Sequence, residues 1–437
     1  DVSGKDATGR AAAMPSTGPP YRVLFIENSR GLGGSTVSLC NLLSGLDRKV
    51  IEPIAAFART DQRQYAVAYC GPSVRTELVP FTRTLAVSAA LRSLLSWAAR
   101  GPMLTSAASA IPAVVDDLFL TLPTVSRLYR LGRAHGVQCI HQNNGFDVSA
   151  VVAARLLGVP ILAYQRGREW NSPAVRFFCR FVDLFLANSQ ATREILRGLG
   201  VSSERICVVY PPVDVELFNP AGGGGAARRE FAVERDQRTF GIIGSLRERK
   251  GHRVFLRAAA RVMREQSGAR AFVIGEAAPK DAAYRQELMH LADELGIRDR
   301  VTFTGFRSDV KELIELLDVV AVPSVKPEPF GRVIIEAMAM GKPVVASRAG
   351  GPPEIITHEE NGLLVTPNEH EPLAAAITRL LSDRDFAATI AARGQQDARR
   401  RFSLSTHVEI MQAVYTTLIS TGRGPVPVEA LAGEARR

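Results

Sequence analysis

Residues 323–356 read PSVKPEPFGRVIIEAMAMGKPVVASRAGGPPEII, and this order of residue types sets the architecture. The apolar run Val319–Val322 just ahead reads as a buried strand, Phe330-Gly331 open a helix that Gly341 closes, and Pro343–Ala346 form the next strand. Strand, loop, helix and strand in close succession make one unit of a parallel α/β sheet. Gly331 lets loop backbone approach a ligand, and the first N–H groups of the helix have no intrahelical acceptor, so a diphosphate is the natural guest. Glu328 stands just before the helix; Glu336 sits within it, about 7.5 Å along the axis from Gly331. One carboxylate can then accept hydrogen bonds from sugar hydroxyls on one side of the phosphates, and the other from ribose hydroxyls opposite. Two glutamates taken alone would sooner be read as favouring the positive helix end, worth about 0.3–1 kcal/mol.

Outward from this stretch the same alternation continues. Strands are expected at Phe240–Gly244, Ala271–Ile274 and Val301–Thr304, separated by amphipathic helices. An earlier cycle starts at YRVLFIEN from Tyr21, followed by the loop Ser29–Ser35 and a helix through Leu46, with strands at Ile54–Phe57, Gln138–His141, Pro160–Tyr164, Leu184–Ala187 and Ile206–Tyr210. Two cycles in 437 residues, more than one core usually supports, predict an α/β protein of two doubly wound, Rossmann-like domains. Pro211, Pro212 and the run Gly222–Gly225 mark the hinge. The expected limits are a disordered tail over 1–20, a first domain over 21–212, a second over 213–396, a helix over 397–421 and a tail over 422–437. Met14 is a candidate native start.

Composition bounds the partners. With 46% hydrophobic and 22% charged residues the chain is globular, and 54 Lys+Arg against 44 Asp+Glu give +10. That excess suits nucleotide diphosphates, acidic glycans or a phospholipid surface, and also a basic proteome background. No Lys/Arg block with interleaved aromatics suggests a nucleic-acid groove. Five scattered cysteines without CxxC or zinc spacing fit a reducing cytoplasm. No signal-type or spanning apolar segment is present. The stretch 78–133 mixes aliphatics with basic residues; Arg83, Arg92 and Arg100 can share a face opposite Leu91, Leu94, Leu95 and Trp97. It is either a membrane-surface helix, giving peripheral attachment, or a cover for the first sheet. Asp116-Asp117 within it reads as a solvated helix face, and no Asp-x-Asp at a strand end offers a metal site.

The string Glu328-Pro-Phe-Gly, Glu336-Ala-Met, Gly341-Lys-Pro-Val-Val, continued by Gly350-Gly-Pro-Pro-Glu-Ile-Ile356 and Asn361-Gly-Leu-Leu-Val365, resembles glycosyltransferase family 4, whose E-x(7)-E motif Glu328 and Glu336 match. More weakly, the likeness covers nearly the whole chain. It implies the GT-B fold, a nucleotide-sugar donor (UDP-, GDP- or another NDP-sugar) in the cleft between domains, and transfer of a hexose with retention and without metal or other cofactor. It also implies a glycan or lipid-linked glycan acceptor, as in cell-envelope polysaccharide or glycoconjugate assembly. Glu328 would contact the donor sugar, the N–H groups of Gly331, Arg332 and Val333 the diphosphate, and Glu336 the ribose, with Phe330 alongside. A terminal helix would cross back onto the first domain.

The remaining motifs follow from that resemblance and from residue chemistry. In Gly244-Ser-Leu-Arg-Glu-Arg-Lys-Gly251 the family's lysine is matched by Lys250, placed to stabilise charge on the leaving diphosphate, but Ser245 stands where an arginine is usual. Arg247 or Arg249 could supply the guanidinium, although the spacing of Arg249 reads first as a solvated charge at a helix entry. Gly33 and Gly34 map to the family's Gly-Gly facing the diphosphate; the loop lacks the third glycine and the ribose-binding acid of a nicotinamide enzyme. His141 at a strand end and Arg166 after the next strand are acceptor-side candidates. Arg166 occupies the place of a family histidine and cannot act as a base. These departures leave two rivals: an inactive scaffold with this fold, and a nucleotide-sugar epimerase.

Overall fold

The computed structural model describes residues 18–29, 33–80, 122–167, 173–220, 225–278 and 281–422. Short, continuous apolar runs become two sheets. The first holds β1 (Tyr21–Glu27), β2 (Ile51–Phe57), β3 (Arg75–Leu78), β4 (Cys139–Gln142), β5 (Ile161–Gln165), β6 (Leu184–Ala187) and β7 (Ile206–Val208), in the order β3-β2-β1-β4-β5-β6-β7. The second holds β8 (Thr239–Ile243), β9 (Arg270–Ile274), β10 (Val301–Gly305), β11 (Val319–Val322), β12 (Val344–Ser347) and β13 (Leu363–Val365), in the order β10-β9-β8-β11-β12-β13. All pairings between named strands are parallel. Each order reverses once, between β1 and β4 and between β8 and β11. Loops leaving the carboxyl ends of the strands diverge there and open a crevice suited to a ligand.

Burial on both faces explains the unbroken apolar runs. In β1, Val23 and Phe25 join one core with Leu39, Tyr164 and the terminal helix, while Leu24 and Ile26 join another with Ile140, Ala150 and Phe185. The second sheet is likewise clasped between two cores, one containing Phe240 and Phe255, the other Phe272 and Ile334. The expected strands lie within three residues of where the sequence places them, but β3 and β13 are additions. β3 is an edge strand of sequence RTEL with no buried side chain, and β13 is three residues long, so neither carries a periodic signal. Residues 81–121 of the basic amphipathic stretch lie outside the described residues, with Arg83, Arg92, Arg100 and Asp116-Asp117. So do 1–17, 423–437 and Gly222–Gly224 of the glycine run. Residues 122–135 are helical, and Val125 and Leu128 pack into the first domain's core.

The chain crosses between the sheets twice, and the two crossings touch: the Val213 N–H donates to the Phe402 carbonyl at 2.8 Å. The expected boundary at 396/397 falls inside the helix Arg384–Phe402, which packs on the second domain; the break comes at Ser403, whose extended backbone and hydroxyl cap the helix Leu404–Thr421. Val408, Met411, Val414, Tyr415 and Leu418 of that helix enter the first domain's core. A second tie is electrostatic. Glu354 of the second domain accepts hydrogen bonds from the N–H groups of Gln190 (2.7 Å) and Ala191 (2.9 Å) at the start of the helix Gln190–Gly198 in the first, and from the Tyr210 hydroxyl at 3.2 Å. A carboxylate at a positive helix end is the favourable arrangement.

Candidate active site

A cleft of about 430 Å³ opens between the two sheets. Its second-domain wall is the β8/β11 switch point: Ile242 to Ser245 leave β8, Val322 and Ser324 leave β11, and Glu328 to Val333 lead into the helix Arg332–Ala339. The first-domain wall consists of residues at strand ends or just beyond: Gly34 and Ser35 after β1, Asn144 after β4, Arg166 after β5 and Asn188 after β6.

Glu328 is the centre of the second-domain wall. Both its oxygens accept from Lys250 Nζ at 2.9 Å, Oε1 also from Arg249 Nη2 at 3.3 Å, and Oε2 from Ser324 Oγ at 2.9 Å. Burial opposes its charge, but Lys250, Arg249 and Ser324 together outweigh burial and hold the carboxyl below its ordinary value. Its backbone is clamped too: the Glu328 carbonyl accepts from the Gly351 N–H at 2.8 Å, and its N–H donates to Ala349 at 3.3 Å. Gly350 has φ +78, and a Cβ there would sit 2.2 Å from the Glu328 carbonyl oxygen, so glycine is required. Gly251, with φ +81, lets the Lys250 loop pack against the next one: a Cβ there would sit 1.9 Å from the Pro323 carbonyl oxygen.

Gly331, at φ +108 and ψ +59, ends the loop and starts the helix, leaving the N–H groups of Arg332 and Val333 without intrahelical acceptors. Across the cleft the helix Gly34–Gly45 begins with no side-chain cap. Two positive helix ends from different domains therefore face the same space. Arg332 spans it: Nη1 donates to the Gly34 carbonyl at 2.9 Å, and Nη2 to Glu336 at 2.8 Å. Among the described residues, no group of three or more His, Cys, Asp or Glu is placed to hold a metal.

Comparison with known proteins agrees with this geometry. A model described as "Glycosyltransferase Family 4" matches residues 32–217, and one described as "Glycosyl transferases group 1" matches residues 226–397. The chain belongs to glycosyltransferase family 4. This family 4 chain is 34% identical over 258 residues to a D-inositol 3-phosphate glycosyltransferase of Mycolicibacterium smegmatis, covering 58% of the chain and 57% of that relative. A Mycobacterium bovis protein of the same description is 38% identical over 200 residues, covering 45% and 40%. The chain thus spans about half the length of the curated relatives it matches. Among solved structures, Anabaena HepE in complex with UDP superposes at TM-score 0.73 with 25% identity, covering 91% of this chain and all of that one. A Rickettsia africae glycosyltransferase, at TM-score 0.74, 18% identity and coverage of 91% and 98%, shows the GT-B fold alone.

Most residues expected of a family 4 site converge. Gly34, Ser245, Arg249, Lys250, Glu328, Phe330, Gly331, Arg332, Val333 and Arg166 all line the cleft. Three expectations need correction. Arg249 is more than a solvated charge: although 35% exposed it pairs with Glu328, while Arg247 lines an adjoining groove with Glu248 and Tyr284 that Arg249 also borders. The Arg332 side chain, not only its N–H, belongs to the site. His141 is no acceptor-side residue: it faces the core beneath the sheet, fully buried, with Nδ1 2.5 Å from the Tyr415 hydroxyl of the terminal helix. Burial first, then the nearby Arg166 and His407, hold its pKa well below the ordinary value, so the ring is neutral. Strand alternation is the reason, since Phe25, which pairs with His141, points into the same core. Gly33 caps the helix in extended conformation beside the lining, and Glu336 lies behind Arg332. Ser324, Ser35, Asn144 and Asn188 also line the cleft, and no motif marks them in the sequence. Their one sequence signal is position, a small polar residue just past the end of a parallel strand or leading into the helix that follows it.

Proposed function

We propose that this chain transfers a hexose from a nucleotide-sugar donor to a glycan or lipid-linked acceptor, with retention and without a metal, as expected for cell-envelope or glycoconjugate assembly on a cytoplasmic membrane face. The observation that carries the reading is the ionised Glu328, clamped by Lys250, Arg249 and Ser324 beside the open helix end at Gly331. An ionised carboxylate accepts hydrogen bonds from sugar hydroxyls; cations and N–H groups at 3 Å range stabilise an oxyanion. Both stand on one wall of one cleft. HepE, of similar fold, was solved with UDP and with UDP-glucose, which supports a nucleotide diphosphate in this position.

In this reading the diphosphate lies against the N–H groups of Gly331, Arg332 and Val333, flanked by Lys250 and Arg249. Glu328 holds sugar hydroxyls, and Glu336 takes ribose hydroxyls once Arg332 releases it. As the bond to the anomeric carbon breaks, negative charge grows on the phosphate already facing Lys250, so stabilisation increases toward the transition state. The acceptor oxygen enters on the same face, and its proton passes to the departing phosphate oxygen. Closure between the domains, bridged by Arg332 and Gly34, excludes water. Screening nucleotide sugars by thermal stabilisation tests donor binding, and Glu328→Gln is expected to reduce turnover at least a hundredfold in a folded protein. Stabilisation by no nucleotide sugar, or full turnover of the variant, refutes the reading. Interconversion of the donor without acceptor would point to an epimerase instead.

A further inference from the structure

Four basic side chains line the cleft among the described residues: Arg166, Arg249, Lys250 and Arg332. Three have a carboxylate. Arg249 and Lys250 share Glu328, and Arg332 holds Glu336. Arg166 has no carboxylate within ion-pair distance among the described residues; its Nε donates to the Asn143 carbonyl at 2.9 Å and its Nη2 to Asn143 Oδ1 at 3.0 Å. Its guanidinium carbon lies 3.9 Å over the Tyr164 ring, and Asn143 is in turn fixed by Glu27 and the Ser35 carbonyl. These partners hold the plane without neutralising it. Burial pushes the Arg166 pKa down and outweighs the attraction of Glu27, the carboxylate beyond Asn143, which forms no direct ion pair with it. Nη1 has no protein partner among the described residues, so Nη1 and the second hydrogen of Nη2 leave a forked edge of the geometry that takes an oxyanion bidentately.

We infer that Arg166, positioned by Asn143 and Glu27, binds a carboxylate or phosphate carried by a substrate in addition to the nucleotide's own diphosphate. The inference rests on the cleft being the donor site and adds the charge class of what enters it. The extra group has two sources: a uronic-acid sugar on the donor, or a phosphate or carboxylate on the acceptor.

The test uses the full chain as wild type, Arg166→Gln and Arg166→Lys, with folding checked by melting. UDP, UDP-glucose and UDP-glucuronate are titrated calorimetrically, and inorganic phosphate is then titrated into protein saturated with UDP-glucose. A donor source appears as tighter binding of UDP-glucuronate than UDP-glucose; an acceptor source appears as phosphate binding to the UDP-glucose complex. In the responding arm Arg166→Gln is expected to lose about 10–100-fold of that preference or affinity, and Arg166→Lys, which keeps charge without the fork, an intermediate amount. If Arg166→Gln melts early, the lysine variant carries the comparison. UDP binding with both anion arms silent in wild type, or variants indistinguishable from wild type in the responding arm, overturns the role of Arg166 alone. Binding of neither UDP nor any other nucleoside diphosphate by wild type overturns the donor-site reading and this inference with it.

Discussion

Lys250→Ala separates structure from chemistry at the centre of the site. Lys250 Nζ lies 2.9 Å from both Glu328 oxygens, and its side chain is 21% exposed against 8% for Glu328. Removing one partner of a fully buried pair costs about 3–5 kcal/mol. Here Arg249 at 3.3 Å and Ser324 at 2.9 Å still hold the carboxylate, so the stability loss should be smaller, about 1–3 kcal/mol. The kinetic loss is larger in consequence: one missing donor to a developing oxyanion costs about 2.7–4 kcal/mol, or 10²–10³-fold in kcat. The pH profile carries an independent signature. Glu328 is held below its ordinary value, so its charge contributes stability above the unfolded-state pKa and loses it as pH falls through the lower folded value. Without Lys250, burial gains ground against the remaining cation and the folded pKa rises. The acid limb of kcat/KM should therefore move to higher pH. Steady-state release of nucleotide from a donor identified by screening, measured across pH, reads both effects. A kcat/KM within about twofold of wild type, or an unmoved acid limb, refutes the assigned role.

Other perturbations follow from the same geometry. Gly350→Ala removes no functional group, yet its Cβ would sit 2.2 Å from the Glu328 carbonyl at φ +78; the shift this forces should cost about 100-fold in activity, whereas Gly33→Ala, extended and with nothing within 4 Å, should stay within about twofold. Equal activities of the two variants would contradict the clamp. Glu354→Gln weakens the cap between domains and should lower stability by about 1 kcal/mol while raising the donor KM, checked by melting and kinetics; an unchanged KM would detach this contact from closure. EDTA should leave the rate unchanged, because Lys250, Arg249 and the Gly331 helix end provide the positive charge; abolition by EDTA with rescue by manganese contradicts that.

The fold was legible wherever local chemistry and global placement coincide. Strands such as Val319–Val322 are buried on both faces, so their apolar runs are unbroken and readable, and Gly331 answers to backbone geometry within a few residues. The placement of Glu328 and Lys250 at the cleft was legible for a similar reason, since each sits in a short motif beyond the carboxyl end of a strand. What depends on contacts between distant segments was not. His141 and Arg166 both follow strand signals, but only the packing of Tyr415, 274 residues further on, draws His141 into the core, and only Asn143 and Tyr164 hold Arg166 at the cleft wall. Arg249 became part of the site because the loop after β8 lies against the loop after β11, a pairing of neighbours in space that are 79 residues apart in the chain. Side-chain direction at a strand end turns on a one-residue alternation, and partner choice on which loops the sheet order brings together. Neither quantity is local, so both awaited the tertiary structure.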